Sequence, residues 1–442
     1  MRISRFLLFI ILLYGQEKII RIPSLEFKLV NKSLEKRIKK ESDLSIIYKL
    51  NSFSENPSST NYIISRSYKL IDSLLIKDKI PINKKVLKQI LFKYKNKPIN
   101  SDFKLLGESL VSRYLFINKV PKYKIGLIGP HKTALILDLK PNFINHFSGF
   151  FGINKKKEKI NLNGEIMIHL ENYFKEAELL NFHWKKIGSY SQLIKINIGI
   201  PHPIGWNIGI NWYYNFEIIN GLYTTSDVEY SFKTFLPIIH NLDLGYVYGS
   251  TTPTLKGQNR NYQKNTFQAF SLKTKKDSRN RRFFPTRGLL LKNQINAGLQ
   301  NKSTFIEIKN KMSFYHLFNN KIIFNTKYIV EGIFDPKNKI PKSRLNFFGG
   351  TSTLRGFNEN QFSSTQFQII TLETGYNISS FFQTKLFLNI ASKEINFFAS
   401  NLTGYGFGIY QIKNNSLIQI EYALSNLSPM DGKLHFKWIS SF

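Results

Sequence analysis

Alternation of apolar and polar residues with a period of two begins near Pro141, continues to the C-terminus, and constrains the fold more than any other feature. In the segment KINLNGEIMIHLEN, the even-numbered residues from Ile160 to Leu170 are isoleucine, leucine or glycine, and the odd-numbered ones, Met167 excepted, are polar. Successive side chains of a β-strand point to opposite faces of its sheet. The pattern therefore predicts strands that separate an apolar environment from a polar one.

About sixteen such segments follow one another between residues 141 and 442. Most are roughly 9–14 residues long, which suits the ~9–11 residues that a tilted strand needs to cross a bilayer. Alternating faces, an even strand number and aromatic residues near strand ends are typical of an outer-membrane barrel. A soluble β-sandwich also alternates, but it hides its apolar faces between two sheets. We therefore predict an all-β transmembrane barrel of about 16 antiparallel strands.

The predicted strands begin near Phe143, Ile160, Phe174, Gln192, Trp206, Leu222, Leu242, Thr266, Gly288, Thr304, Lys321, Gln366, Thr384, Gly404, Leu417 and Lys433.

The N-terminus has the layout of a secretory signal peptide over residues 1–15. Arg2 and Arg5 precede an apolar run from Phe6 to Tyr14, and the small residue Gly15 follows. The run is too short to span a bilayer as a helix, which needs about 20 residues. A buried strand or helix start is the alternative interpretation. No later segment is long and apolar enough to predict a transmembrane helix.

Residues 81–140 predict a small α+β module. Val86, Leu87, Ile90 and Leu91 have helical spacing, and Asn100 or Ser101 can cap a second helix. Two short strands follow, in KYKIGLIG and TALILDLK. Residues 16–80 stay undefined, although a helix is predicted from Tyr62 to Leu75, and no strand is evident directly before Ile82.

The chain has a net charge of +34 and contains no cysteine. So much positive charge favours nucleic acid as a partner. The lysines, however, are scattered through every segment and no nucleic-acid-binding motif occurs, so we interpret them as solvated side chains and expect no nucleic acid. Without cysteine there are no disulfides and no thiol catalysis.

Three segments together resemble the outer-membrane β-barrel assembly factors of the BamA and TamA type, the bacterial surface antigen family. FFGGTSTLRGF is similar to the family signature in the loop after strand eleven, through Gly349 and Gly350 and the core Arg355, Gly356 and Phe357.

The second segment, DSRNRRFFPTRGLLLKNQINAGL, is similar to a family run of Asp, Pro and Gly, here Asp277, Pro285 and Gly288. The third, from Leu170 to Pro201, resembles the family's early hairpin, with Asn172 at the turn. The resemblance covers about Pro81 to Phe442.

The resemblance implies that the loop folds into the barrel lumen, where Arg355 meets acidic side chains of the wall. Its candidate partners are Glu373, Asp277 and Glu331. In the family an acidic residue followed by a basic one comes after the loop. Here Glu373 is present, but Gly375 stands where the basic residue is expected.

The resemblance also implies a lateral seam between the first and last strands, which inserts new barrels into the outer membrane. The candidate seam residues are Gly149 and Gly152 in the first strand and Trp438 and Phe442 in the last, because glycine weakens a strand and the outer apolar row ends at Phe442. Residues 81–140 would be a periplasmic POTRA module, and residues 16–80 could hold a degenerate second one.

The expected partners are unfolded barrel clients and outer-membrane lipids, with accessory assembly lipoproteins left open. The eight histidines are dispersed, and no P-loop, GxSxG or HExxH motif occurs. We therefore expect no enzyme activity, no cofactor and no metal. Two alternatives to an assembly factor stay open: a polypeptide exporter of the two-partner secretion type, and a passive pore.

Overall fold

The computed structural model describes residues 17–23, 46–56, 59–128, 132–156, 159–187, 190–234, 242–281, 285–379, 381–394, 401–413, 416–428 and 430–441. The predicted signal peptide and Phe442 lie outside these residues. The chain divides into two compact units: residues 1–79, 91–108 and 120–140 form the first, and residues 80–90, 109–119 and 141–442 form the second.

The first unit contains two three-stranded sheets. One is antiparallel, in the order β1 (Glu17–Pro23), β3 (Ser59–Tyr68), β2 (Ile46–Asn56). The other has the order β4 (Ser73–Ile76), β6 (Lys132–Asp138), β5 (Lys122–Ile128), with β4 parallel and β5 antiparallel to β6.

Two predictions for this region are wrong. The helix predicted from Tyr62 to Leu75 is instead β3 and β4, and β4 is the strand that was not evident before Ile82. β4 has only four residues, SLLI, so period-two alternation cannot show in it. The sheet therefore begins before residue 81, the boundary predicted for the α+β module.

The helices are short. α1 spans Lys84–Ile90 and α2 spans Phe103–Arg113. The side chain of Asp102 accepts a hydrogen bond from the backbone N–H of Leu105 at 2.9 Å, so Asp102 caps α2 rather than Asn100 or Ser101. None of the described helices has the length and hydropathy to cross a membrane.

Sixteen strands of the described second unit close into one antiparallel barrel, which confirms the predicted all-β barrel. They are β7 (His146–Lys156), β8 (Lys159–Glu171), β9 (Leu179–Ile187), β10 (Ser191–Ile200), β11 (Gly209–Ile219), β12 (Tyr223–Thr234), β13 (Leu242–Pro253), β14 (Asn265–Asp277), β15 (Gly288–Gln300), β16 (Ser303–Leu317), β17 (Ile322–Phe334), β20 (Gln366–Asn377), β21 (Phe382–Ser392), β22 (Leu402–Lys413), β23 (Ser416–Ser425) and β24 (Lys433–Ser441).

The predicted strand starts agree closely with these bounds, and the largest difference is at β9, predicted from Phe174 and observed from Leu179. Asn172, Lys175 and Ala177 have positive φ angles between β8 and β9. That backbone conformation belongs to a tight turn and not to a strand, so the turn delays the start of β9.

The two faces of the wall differ as the alternation predicts. Outward side chains such as Phe270, Ile306 and Leu386 are large, apolar and exposed on the outer surface. Inward residues are polar and make contacts across the lumen wall: Asn296 donates a hydrogen bond from Nδ2 to Glu307 Oε2 at 2.9 Å.

Neighbouring barrel strands are joined by short connections, with one long exception between β17 and β20. This connection, residues 335–365, is called the lumen loop below. It contains a two-stranded ribbon of β18 (Asn346–Phe348) and β19 (Phe362–Ser364). A four-residue helix, α3 (Leu255–Gln258), lies in the connection between β13 and β14. The barrel end at which β7 begins and β24 ends is called the N-terminal rim.

Candidate functional site

The lumen loop packs an apolar cluster against the inner wall. Phe348, Leu354 and Phe357 of the loop are almost completely buried. They pack with the buried wall residues Ile329, Phe367, Ile369 and Ala391. A fully buried large apolar side chain contributes about 1.5–3 kcal/mol. These contacts hold the loop in place, and they explain why the loop carries several aromatic residues.

Three glycines of the loop adopt conformations that other residues rarely take. Gly349, Gly350 and Gly356 have φ angles of 120°, 89° and 91°. A Cβ atom on Gly356 would lie 2.2 Å from the carbonyl oxygen of Leu424, so the loop backbone touches the backbone of β23 at this point. Glycine is needed at 356 for both reasons.

The guanidinium of Arg355 lies against the wall with 6% of the residue exposed. It donates from Nη1 to Glu421 Oε1 at 2.9 Å and from Nη2 to Glu373 Oε1 at 2.8 Å. Nη2 also donates to Asn389 Oδ1 at 3.0 Å, and the ring of Phe387 lies 3.6 Å below the guanidinium carbon. Arg355 thus joins β20, β21 and β23 to the loop.

The two carboxylates are held by further groups. Glu373 Oε2 accepts a hydrogen bond from Asn325 Nδ2 at 2.9 Å and lies 3.6 Å from Lys385 Nζ. Lys385 is directly opposite Gly375 in the β20–β21 pair. A lysine on the neighbouring strand therefore occupies the place next to Glu373 where the family pattern expects a basic residue at position 375. Tyr410 donates its hydroxyl proton to Glu421.

Of the three predicted partners, only Glu373 contacts Arg355. Asp277 instead accepts two hydrogen bonds from Arg279, each 2.8 Å long, and Glu331 lies directly opposite Lys309 in the β16–β17 pair. Neither carboxylate forms a hydrogen bond or an ion pair with Arg355 among the described contacts. Sequence reasoning missed Glu421, although its position on the polar parity of an otherwise apolar strand, SLIQIEYALS, was a usable signal.

Asp277, Pro285 and Gly288 all lie at the N-terminal rim, in or beside the connection between β14 and β15. Gly288 has a φ angle of 111°, and a Cβ there would lie 2.3 Å from the carbonyl oxygen of Ser278. The described ends of this connection are held together by backbone hydrogen bonds from Ser278 to Leu289 and from Asn280 to Arg287. Pro285 and Arg279 also line the lumen cavity described below.

A second arginine, missed by the sequence analysis, anchors the start of the loop. The guanidinium carbon of Arg344 lies 3.6 Å above the ring of Phe267, and its Nε donates to Gln300 Oε1 at 3.1 Å. Its Nη2 is 3.6 Å from Glu307 Oε2. Arg344 belongs to no motif, and its partners lie on β14, β15 and β16, so only the tertiary structure identifies it.

The barrel is closed much more weakly between β24 and β7 than elsewhere. Among the described residues these strands form only two pairs, Ser440 with Phe147 and Ser441 with His146. Continuing the same register would place Trp438 opposite Gly149, but that pair is not formed. The predicted seam strands are therefore the ones that meet incompletely.

A cavity of 1040 Å³ occupies the lumen and reaches this junction. Its lining includes Ser148 and Gly149 of β7 and every residue from Leu434 to Ile439 of β24. Among the described residues β24 and β7 are paired at two positions, so the cavity borders the unpaired part of the β24 edge. Gly152 lies further along β7.

Residues 172–437 match the family model described as the Omp85 superfamily domain. The chain belongs to the Omp85 superfamily. It is therefore an outer-membrane β-barrel of that family. No curated protein sequence matches the chain significantly.

Solved structures show the same fold at low sequence identity. BamA from Haemophilus ducreyi lacking POTRA domains 1–3 has a TM-score of 0.54 at 13% identity, covering 95% of this chain and 94% of that one. CdiB from Acinetobacter baumannii has 0.58 at 14%, covering 95% and 82%. CdiB from Escherichia coli has 0.60 at 11%, covering 95% and 85%.

In this Omp85 barrel, the lumen loop contacts strands on both sides of the incomplete junction. Thr351 Oγ1 is hydrogen-bonded to His435 Nδ1 of β24 at 2.7 Å. On the other side, Glu359 Oε2 lies 3.5 Å from Lys185 Nζ of β9, and Glu359 Oε1 accepts from the backbone N–H of Thr351 at 2.9 Å. The loop tip therefore forms a polar bridge across the junction inside the lumen.

Residues 109–119 of the second unit meet the barrel at the N-terminal rim. Tyr114 and His202 are joined by a hydrogen bond of 2.7 Å between Oη and Nε2, and Nδ1 of His202 is 2.8 Å from the carbonyl oxygen of Trp206. Burial lowers the pKa of His202 to about 4, against the opposing effect of the Trp206 hydrogen bond. The imidazole is therefore neutral near pH 7.

The turn between β8 and β9 also binds the start of α1. Asn172 donates from Nδ2 to the carbonyl oxygen of Pro81 at 2.6 Å, and the backbone N–H of Asn83 donates to the carbonyl oxygen of Lys175 at 2.7 Å. In the described part of the chain, no cluster of three His, Cys, Asp or Glu side chains is arranged to hold a metal ion.

Proposed function

We infer that this Omp85 protein folds and inserts β-barrel proteins into the outer membrane through the junction of β24 and β7. The observation that carries this proposal is the two-pair junction whose open β24 edge borders the lumen cavity. Unpaired N–H and C=O groups of a strand edge are a template for an incoming strand. A client hairpin can pair with this edge before it leaves the wall.

Hydrophobic burial of the client in the membrane supplies the driving force. In a bilayer every backbone polar group must be paired, so a client strand is stable only while its edges are bound. The seam offers such an edge at the boundary between lumen and membrane. No nucleotide or cofactor is needed for this step.

The lumen loop has a defined task in this proposal. Arg355 fixes the loop to β20, β21 and β23, which lie on one side of the seam. Thr351 and Glu359 then reach β24 and β9, one on each side. Releasing either contact frees the seam while Arg355 keeps the rest of the loop in position.

The module of β4–β6, α1 and α2 is proposed to be a POTRA module in the periplasm. It combines two helices with a three-stranded sheet whose strand β5 is paired on one side. Unfolded barrel clients and outer-membrane lipids are the proposed partners, and accessory assembly lipoproteins would bind on the periplasmic side.

The fold does not separate insertion from polypeptide export, because the BamA and CdiB structures share it. A depletion experiment separates the two. If the protein inserts barrels, its removal lowers many outer-membrane barrels together and leaves secretion of individual polypeptides affected only indirectly. Loss of a single secreted polypeptide with unchanged barrel levels would replace the proposal by the export function.

A reconstituted assay tests the step directly. Liposomes containing the purified protein are mixed with a urea-unfolded barrel, and folding is followed by the change in its electrophoretic mobility. We expect faster insertion than in empty liposomes or in liposomes that contain an unrelated barrel. Equal rates in all three would contradict insertion by this protein.

A further inference from the structure

Four lysines form a row on the lumen face of four neighbouring strands. Lys275 of β14 is directly opposite Lys292 of β15, and Lys292 is directly opposite Lys311 of β16. Lys327 of β17 is paired with Ser313, the lumen-facing residue two positions from Lys311. Directly opposite residues have Cβ atoms about 4.5–5.5 Å apart. The row therefore brings four positive charges onto one continuous strip of wall.

In the described part of the chain, none of these four lysines has a carboxylate of its own. Among the described residues, Lys275, Lys292 and Lys311 have no carboxylate oxygen within ion-pair distance, and Lys327 donates to the backbone carbonyl of Ser352 at 3.1 Å. The carboxylates nearby are engaged by other cations: Arg279 binds Asp277, and Lys309 lies 2.8 Å from Glu307.

Two further wall carboxylates also have cations of their own. Lys273 forms an ion pair with Glu229 at 2.5 Å, and Arg355 and Lys385 share Glu373. Like charges directly opposite each other destabilise a strand pair. The row is thus an unfavourable arrangement for the empty barrel, and an anion between the lysines would remove the repulsion.

Positively charged side chains also outnumber negatively charged ones in the lining of the cavity next to the row. Its lining contains eight lysine and arginine residues and four glutamates. Lys311 and Lys327 belong to both the row and the cavity, and Lys437 of β24 brings positive charge to the open edge at the seam. Such a wall attracts anions along the path from the row to the seam.

The position of the row indicates which class of anion can reach it. Lys275 lies two residues before the end of β14 at the N-terminal rim, and the row leads from there to Lys327 beside the loop tip. All four side chains are on the lumen face, so lipid headgroups on the outer face do not reach them. A polypeptide that enters at this rim passes along the row before it meets the β24 edge.

We propose that the lysine row Lys275–Lys292–Lys311–Lys327 is a binding site for acidic segments of polypeptide clients in the lumen. The site rests on the proposed function, because it names the chemistry of the client that the seam receives. Carboxylates of an extended client segment would lie between the lysines and relieve their repulsion. Binding at the row holds the client beside the seam without forming a covalent bond.

The test measures binding of a fluorescein-labelled oligoglutamate peptide to the full-length protein in non-ionic detergent, with oligoglutamine of equal length as the neutral probe. The variant carries Lys275→Gln, Lys292→Gln, Lys311→Gln and Lys327→Gln. We expect about a tenfold or larger loss of affinity, because several charge pairs of modest strength are lost together. Oligoglutamine should bind neither protein, and salt should weaken oligoglutamate binding.

The matched control removes the same charge from exposed connections outside the lumen loop, through Lys256→Gln, Lys264→Gln, Lys302→Gln and Lys321→Gln. We expect this control to change affinity by less than about twofold, because these side chains are exposed to solvent and do not line the lumen cavity. Heat-modifiability of both variants on gels reports that the barrels are folded. Equal loss in the control and in the row variant would overturn the assignment to the row.

Competition distinguishes two sources of the same anionic chemistry. An unlabelled acidic peptide should displace the probe, and inorganic tripolyphosphate should do so only at much higher concentration. Stronger displacement by tripolyphosphate would overturn the polypeptide assignment in favour of a phosphate ligand. None of these measurements requires insertion activity. A barrel that binds oligoglutamate but inserts no client would therefore refute the proposed function and leave the binding site intact.

Discussion

Two junctions of the same barrel differ in how completely their strands are paired. β15 and β16 are paired along their whole length, from Gly288 with Tyr315 to Gln300 with Ser303. Over their described residues, β24 and β7 share only the pairs at Ser440 and Ser441. A backbone hydrogen bond contributes about 0.5–1.5 kcal/mol net, so the second junction lacks much of the stabilisation of the first. A closed barrel can therefore contain one junction that separates without unfolding the rest.

The lumen loop accentuates this difference. Its apolar cluster and the Arg355 contacts stabilise the wall from β17 to β23, whereas a hydrogen bond from Thr351 and an ion pair of Glu359 bridge the weak junction. Partly exposed ion pairs of this kind contribute about 0–1 kcal/mol. The strong contacts lie beside the seam, and weak ones lie across it.

The largest effect should come from locking the weak junction. Phe147→Cys with Ser440→Cys places thiols on a directly opposite pair, at the Cα separation of about 4.4–6.8 Å that a disulfide needs. Since the chain has no native cysteine, no other thiol competes. We expect the oxidised protein to lose insertion activity in the liposome assay and to regain it after reduction.

The matched control is Leu291→Cys with Met312→Cys, a directly opposite pair in the β15–β16 junction. This disulfide should leave insertion unchanged, because that junction is not expected to open. If the locked seam inserts clients at the normal rate, lateral opening is wrong, and passage through the lumen becomes the better explanation.

The next largest effect should come from removing Arg355, which anchors the lumen loop to the wall. Arg355→Ala leaves Glu373 and Glu421 buried without their main cation, and losing one partner of a buried ion pair costs about 3–5 kcal/mol. We expect a lower denaturation temperature and reduced insertion. Arg287→Ala, at an exposed rim arginine, serves as the control and should change neither quantity.

Arg355→Lys sharpens this test. Lysine keeps the charge, but it cannot present the planar fork of donors that reaches both carboxylates and Asn389. An intermediate loss is expected. Full retention of stability and activity in Arg355→Ala would be incompatible with an anchoring role.

The two faces of β8, the strand paired with β7, allow a third comparison. Ile166 is on the outer parity, and Met167 lines the lumen cavity. Ile166→Lys should cost about 2–4 kcal/mol near the middle of the membrane, because a charge on the lipid face is poorly solvated. Met167→Lys should be tolerated. Urea titration of both variants in lipid vesicles measures the difference, and the reverse order would show that the face assignment of β8 is wrong.

The smallest effect depends on pH at the N-terminal rim. Because burial lowers the pKa of His202 to about 4, the unfolded chain binds a proton that the folded protein does not bind between this value and the ordinary 6.5. Stability is therefore fully present above about pH 6.5 and is lost as the pH falls towards 4, by up to roughly 3 kcal/mol.

Hydrogen exchange of residues 109–119 measures this loss, because Tyr114 binds His202 directly. We expect faster exchange at about pH 5 than at pH 7, after correction for the intrinsic rate, and no such change in His202→Gln. Identical pH dependence in both proteins would show that His202 is not the responsible group.

The sequence by itself determined the barrel, its strand number and its two faces. These follow from the period of two, a local property that each segment carries without reference to its neighbours. Arg355 and its glycines were identified separately, by the resemblance of a short motif to a family signature. The period of two failed for β4, which is too short to show a period, and for the start of β9, where turn residues with positive φ angles precede the strand.

Only the tertiary structure decided which distant residues meet. Glu421 is 66 residues from Arg355 and Arg344 is 44 from Gln300, and no local pattern encodes such contacts. The lysine row shows the physical reason most clearly. Its members are separated along the chain and look like scattered solvated lysines in the sequence. The register of three strand pairs, fixed by backbone hydrogen bonds between strands, places them side by side on one face of the wall.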